Sequence, residues 1–221
     1  MTKLWHKLDL DPTGALRDDL NLSFVNGSAP QVDWTWGAYE DNLKDVFNKS
    51  WLDYMESKNC RPRKILVFYK PPYYGDNVHV DGYPEKQIAE GKFVQYTLNF
   101  IANPGYMSGN GNHRKYKNWK DTGSMRWYNT HPDDQSFTVL EKRVNFEYQY
   151  IRMPESPRLT EIDQVKFESN GIYLANVLTP HGIVTTDQPR LTISLRGCLT
   201  GDFMSWEDVV AHFTDLGLII N

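Results

Sequence analysis

The chain has 221 residues, 40% of them hydrophobic, a length that suits one domain rather than two independent cores. Lysine and arginine number 24 against 28 aspartate and glutamate, for a formal net charge of -4. This excludes a protein that coats nucleic acid by overall charge and leaves only a local basic patch for that role. Two cysteines, Cys60 and Cys198, are too few for a disulfide framework and read as reduced thiols of a cytoplasmic protein. The first ten residues lack the apolar stretch of a secretory signal, and no run approaches the ~18 uncharged residues needed to span a bilayer.

Aromatic residues are abundant, with 7 Trp, 13 Tyr and 10 Phe making 14% of the chain. Glycine and proline are scattered as punctuation, which suits a β-rich domain with many turns. In chain order, residues 1–36 give mixed signals with turns at Asp11-Pro12-Thr13-Gly14 and Asn26-Gly27. From Ala38 to Ser57, Leu43, Val46, Phe47, Trp51, Leu52 and Tyr54 recur at helical spacing and predict an amphipathic helix. Ile65 to Tyr69 is a short apolar run stopped by Pro71-Pro72, which predicts a buried strand.

Between Phe93 and Ala102 the side chains alternate, with Val94, Tyr96, Leu98 and Phe100 of one parity and Gln95, Thr97 and Asn99 of the other, so three polar groups share one face of a strand. Val144 to Ile151 alternates in the same way, and further strands are expected at 164–167, 172–178, 182–186 and 191–196. The stretch from Pro104 to Gln135 shows little periodicity and reads as a long loop. Ser205-Trp-Glu-Asp208 opens a final helix with a capping box. Many strands with flanking helices predict a double-sheet β fold.

Two of the six histidines stand in unusual company. His79-Val-Asp81 places an imidazole and a carboxylate two residues apart, on one face if the segment is a strand. His181, about a hundred residues later, supplies a second imidazole. Two imidazoles and one carboxylate on one face of an octahedron leave three positions open, a set that suits non-haem Fe(II). After His181, residues Arg190, Thr192, Ser194 and Arg196 have one parity and Leu191, Ile193 and Leu195 the other. Two arginines and two hydroxyls on one face, backed by aliphatics, call for a compensating anion, and a carboxylate matches the planar guanidinium fork.

The order His79-x-Asp81, His181 and, nine positions on, Arg190 resembles the Fe(II)/2-oxoglutarate-dependent oxygenases over residues 62 to 197. The nine-residue interval resembles the prolyl-hydroxylase end of that superfamily, and the pair Arg190 and Arg196 resembles the alkylation-repair demethylases. The resemblance implies a double-stranded β-helix (jelly-roll, cupin-like) preceded by an N-terminal helical segment. It implies Fe(II) held by His79, Asp81 and His181, and 2-oxoglutarate held by Arg190 with Thr192, Arg196, Asn99 and Thr97 as further contacts. With O2 as oxidant, the implied reaction couples oxidative decarboxylation of 2-oxoglutarate to hydroxylation of a substrate C–H bond, the substrate being a small molecule, a prolyl residue or another amino-acid residue. The expected organisation is one oxygenase domain over 1–221, with support in 1–61, a core in 62–197 carrying the 104–135 insertion, and a C-terminal helix in 198–221.

Three alternatives stand beside this reading. His131-Pro-Asp133 is a second His-x-Asp pair, but Pro132 removes a ladder donor and its surroundings read as a turn. Between His113 and Trp127, basic residues including Arg114 and Lys115 interleave with aromatics including Trp119 and Trp127, so the loop reads as a substrate-covering lid or, in an oxidative demethylase of nucleic acid, as a strand-binding surface. The chain also fits a non-enzymatic jelly-roll ligand-binding protein whose aromatics form the platform.

Overall fold

A computed structural model describes residues 3–10, 12–18, 20, 22, 34–39, 43–75, 78–81, 96–104, 120, 123–129, 138–140, 150–152, 159–199 and 205–219. The strands are β1 (Trp5–Lys7), β2 (Trp34–Tyr39), β3 (Cys60–Lys70), β4 (His79–Asp81), β5 (Tyr96–Ala102), β6 (Ser124–Asn129), β7 (Thr138–Leu140), β8 (Tyr150–Arg152), β9 (Thr160–Lys166), β10 (Ile172–Ala175), β11 (His181–Val184) and β12 (Arg190–Leu199). The helices are α1 (Pro12–Ala15), α2 (Leu43–Val46), α3 (Lys49–Ser57) and α4 (Trp206–Asp215). The strands form two six-stranded sheets, ordered β1-β10-β5-β12-β3-β2 and β7-β8-β4-β11-β6-β9.

The pairings define the architecture. Strand β3 pairs with β12, β4 with β11, β5 with β10 and β6 with β9, all antiparallel. A run of four strands therefore lies against a second run of four in reverse order, and the resulting double strand is rolled so that successive strands alternate between the sheets. This is a jelly roll, the double-stranded β-helix. Strands β1 and β2 extend the first sheet at its two edges, a contribution from the N-terminal region that local pattern does not reveal.

The first sheet is covered on both sides, which is why every residue of β5 is buried. Its outer face meets the helices: Phe47 and Trp51 lie 5.1 and 5.4 Å from the Phe100 ring, and Phe213 of α4 lies 5.2 Å from Tyr96. Leu98, Leu174, Leu191, Ile193 and Leu195 complete this layer. Its inner face meets the second sheet through Ile101, Tyr173 and Ala175 against Met125, Trp127, Val165 and Phe167.

Several expectations need correction. The helix expected over 38–57 is broken: β2 runs to Tyr39, and α2 stops at Val46 before α3 starts at Lys49. Asn48 stands at the break, its side-chain amide donating to the Leu16 carbonyl at 2.9 Å and the Gly14 carbonyl at 3.1 Å. Its backbone N–H, the group that would continue the helix, donates instead to the Ala15 carbonyl at 2.9 Å, so side chain and backbone are both held by the segment around α1. The stretch 104–135 is also not a continuous loop, because it contains β6, a strand flanked in the second sheet by β11 and β9. The expected strand at 164–167 extends back to Thr160, whereas residues 93–95 and 144–149 lie outside the described residues. The capping box of α4 forms as expected, Ser205 Oγ accepting from Asp208 N and Asp208 Oδ2 from Ser205 N, both at 3.1 Å.

Candidate functional site

Strands β4 and β11 are neighbours in the second sheet, and His79 and His181 stand opposite each other in register. Their rings are 4.5 Å apart between centroids and inclined at 54°. His181 is 3% exposed and His79 is half-buried. An imidazole nitrogen binds a metal at ~2.1 Å, which puts the ring centroid ~3.2 Å away, so two imidazoles at right angles on one ion have centroids ~4.5 Å apart. The observed separation is within what two imidazoles on one divalent ion allow, and it is equally that of a ring contact between residues paired in register.

Local structure places each of these residues. His181 Nδ1 lies 2.9 Å from the carbonyl oxygen of Thr179. A carbonyl only accepts, so Nδ1 carries the proton and Nε2 keeps the lone pair that a metal would take. Asp81 occupies the same parity of β4 as His79 and is in register with Tyr150 of β8, although its carboxylate lies outside the described side chains. Among the described residues alone, no group of three His, Cys, Asp or Glu side chains gathers to hold a metal.

The polar residues of β12 and β5 meet across the first sheet. Ser194 is opposite Asn99 and Arg196 opposite Thr97, so the two polar faces form one inner patch. Every member is buried: Arg190 is 1% exposed, Arg196 2%, Thr97 1%, Ser194 1%, Asn99 6% and Thr192 7%. The hydroxyls of Thr97 and Ser194 make no hydrogen bond among the described residues. Buried hydroxyls in that state are costly unless something else enters the space they face.

Arg190 is clamped between the sheets. Its Nη1 donates to the Ser124 carbonyl at 3.3 Å, and its guanidinium carbon lies 4.8 Å above the Phe167 ring. Ser124 lies three residues along β6 from Trp127, the residue opposite His181, so the arginine head sits ~10 Å along the sheet from the histidine pair at ~3.3 Å per residue.

The basic segment is redistributed. Trp127, expected on the loop as a substrate or base-stacking residue, is instead a fully buried residue of β6 whose indole Nε1 donates to the Asn176 carbonyl at 2.7 Å. Arg126 points away from that core and lies 3.6 Å from Glu161 on β9. Arg114, Lys115 and Trp119, and the competing pair His131 and Asp133, lie outside the described residues. Sequence pattern missed Phe167, Gly123 and Asn176 as parts of the site's surroundings. Of these only Asn176 leaves a local trace, an Asn followed by a turn into Pro180.

The strand pairing places the chain among jelly-roll, cupin-like proteins. No family model and no curated protein matches its sequence. Among solved structures it is similar to the vicilin of Corylus avellana (hazelnut), with 7% identity, a TM-score of 0.36 and coverage of 87% of this chain and 38% of that one. It is also similar to E. coli ycfD, with 10% identity, a TM-score of 0.37 and coverage of 97% and 46%. The chain thus spans less than half the length of either structure. No helix among the described residues is long and apolar enough to cross a membrane.

Proposed function

We propose that the protein is an Fe(II)- and 2-oxoglutarate-dependent dioxygenase that hydroxylates a small-molecule or peptidyl substrate. The observation that carries this reading is the His79–His181 pair, in register at 4.5 Å, on the sheet that faces the buried, inward-turned arginines of β12.

In this reading His79, Asp81 and His181 hold the iron, which when bound supplies oxidation of 2-oxoglutarate by O2. Arg190 pairs with the distal carboxylate through its planar fork, and Thr192 adds a hydroxyl. The ~10 Å between the histidine pair and the arginine head accommodates a five-carbon dicarboxylate anchored at both ends. Thr97, Asn99 and Arg196 line the wall beside it, where hydroxyl and amide donors orient the bound acid. Tyr173 and Ile183, packed in the inter-sheet cluster, back the site on its apolar side and keep bulk water out.

The test is anaerobic addition of Fe(II) and then 2-oxoglutarate to the purified chain, followed by visible absorption. A charge-transfer band is expected, lost in Asp81→Ala and retained in Asp133→Ala. No band in folded protein defeats the assignment, and the reverse pattern of variants moves the metal to His131 and Asp133.

A further inference from the structure

Between β10 and β11 the chain makes a five-residue turn, Asn176 to Pro180, that ends at His181. Asn176 is buried, with 8% exposure. Its side-chain oxygen accepts from the backbone amides of Leu178 at 2.9 Å and Thr179 at 3.1 Å. Its backbone is tied on both sides: the amide donates to the Leu4 carbonyl at 3.0 Å and the carbonyl accepts from Trp127 Nε1 at 2.7 Å. The far end of the turn is held too, because the Pro180 carbonyl accepts from Tyr128 N at 2.9 Å. Both ends are pinned to β6 and the interior closes on Asn176, which holds the Thr179 carbonyl where it reaches His181 Nδ1.

We infer that Asn176 is a positioning residue that, through the Thr179 carbonyl, holds His181 in the Nδ1–H tautomer with Nε2 directed at the metal. The inference rests on the metal reading given above for His79 and His181. It adds a residue that acts on His181 at one remove, its side-chain oxygen holding the Leu178 and Thr179 amides and the Thr179 carbonyl in turn holding the ring. Outer partners of this kind preset ring orientation before a metal arrives, and their loss weakens binding by ~10–100-fold.

The test uses the full chain and two readouts. The first is Co(II) affinity by visible absorption. The second, made without metal, is the His181 tautomer from long-range nitrogen–proton NMR correlations with the ring neutral. In Asn176→Ala, Co(II) binding is expected to weaken ~10–100-fold and His181 to populate both tautomers. Asn176→Asp keeps an acceptor oxygen at the same reach and restores both. Should the alanine variant not fold, Asn176→Gln carries the test, since it retains the amide but moves its oxygen one bond further out. A folded Ala or Gln variant with wild-type affinity and a single Nδ1–H tautomer overturns the inference. If Asn176→Ala loses the single Nδ1–H tautomer that the wild-type chain shows, but the wild-type chain takes no Co(II), the positioning stands and the metal reading falls, so the two failures are distinguishable.

Discussion

Gly123 lies directly beneath the guanidinium of Arg190. A methyl group at Gly123 would come 2.8 Å from Arg190 Nη2 and 3.2 Å from its central carbon while pressing into the Val184 carbonyl oxygen. The backbone there cannot yield easily, because the next residue, Ser124, is locked into β6 opposite Val184. The arginine is therefore held on three sides, by a bare Cα, by the Ser124 carbonyl and by the Phe167 ring. Gly123→Ala should displace the guanidinium and raise the 2-oxoglutarate concentration needed for half-maximal charge-transfer absorbance by ~10-fold, equivalent to ~1.4 kcal/mol. Fe(II) binding should be unchanged, since the histidine pair is remote. An unaltered cosubstrate requirement would show that Arg190 does not bind it.

Trp127 belongs to the core rather than to a substrate surface, and its substitution should act on stability. Trp127→Ala is expected to cost ~3–5 kcal/mol in denaturant unfolding, the range for deleting a large buried aromatic. Trp127→Phe keeps most of the volume but leaves the Asn176 carbonyl without its indole donor, a loss of ~1–3 kcal/mol. Near-wild-type unfolding midpoints for both variants would contradict the assignment of Trp127 to the inter-sheet core.

His6 makes folding sensitive to acid. Burial pushes its pKa below the ordinary 6.5, the neighbouring Lys3 adds to this, and Asp163 opposes it. The folded state disfavours the proton that the unfolded chain accepts, so this part of the stability is complete above pH 6.5 and is lost as pH falls through the lowered folded value. Urea midpoints should decline as pH falls below 6.5, and His6→Gln should flatten that decline. Parallel curves for the two proteins would remove His6 from the account.

Cys60 should be inert in the native protein. Burial raises its thiol pKa to about 12, against a smaller opposing hydrogen bond from Tyr96, and its side chain is fully buried. At pH 8 almost none of it is thiolate, the reactive form. Iodoacetamide mapped by peptide mass spectrometry should leave Cys60 unlabelled until denaturant is added, and fast native labelling would refute this environment.

Much of the fold was legible wherever a strand's two faces differ in chemistry. Leu191, Ile193 and Leu195 against Thr192, Ser194 and Arg196 announced both the strand and its two environments, aliphatic toward the helices and polar toward the second sheet. Strand β6 was hidden because Lys120, Arg126 and Asn129 gave its surroundings the composition of a loop, while its stability comes from pairing with β9 and β11 on either side. Asn48 was hidden for a related reason. Its apolar neighbours keep helical spacing, and only the distant segment 14–16 diverts it, the Ala15 carbonyl taking its backbone N–H and the Gly14 and Leu16 carbonyls its side chain.

The amino-acid sequence by itself determined parity: which residues of β5 and β12 share a face follows from the two-residue period of an extended chain, a local property of the backbone. It also supplied the proposed ligand types, two imidazoles and a carboxylate, in an order that suits one metal. Only the tertiary structure decided proximity. His79 and His181 are about a hundred residues apart, and no local interaction brings them together. The jelly-roll pairing of β4 with β11 does so, just as that of β12 with β5 sets Ser194 beside Asn99 and Arg196 beside Thr97. Register is a long-range choice made by burying both sheets at once, so the clamp on Arg190 and the hold on His181 exist only in the folded chain.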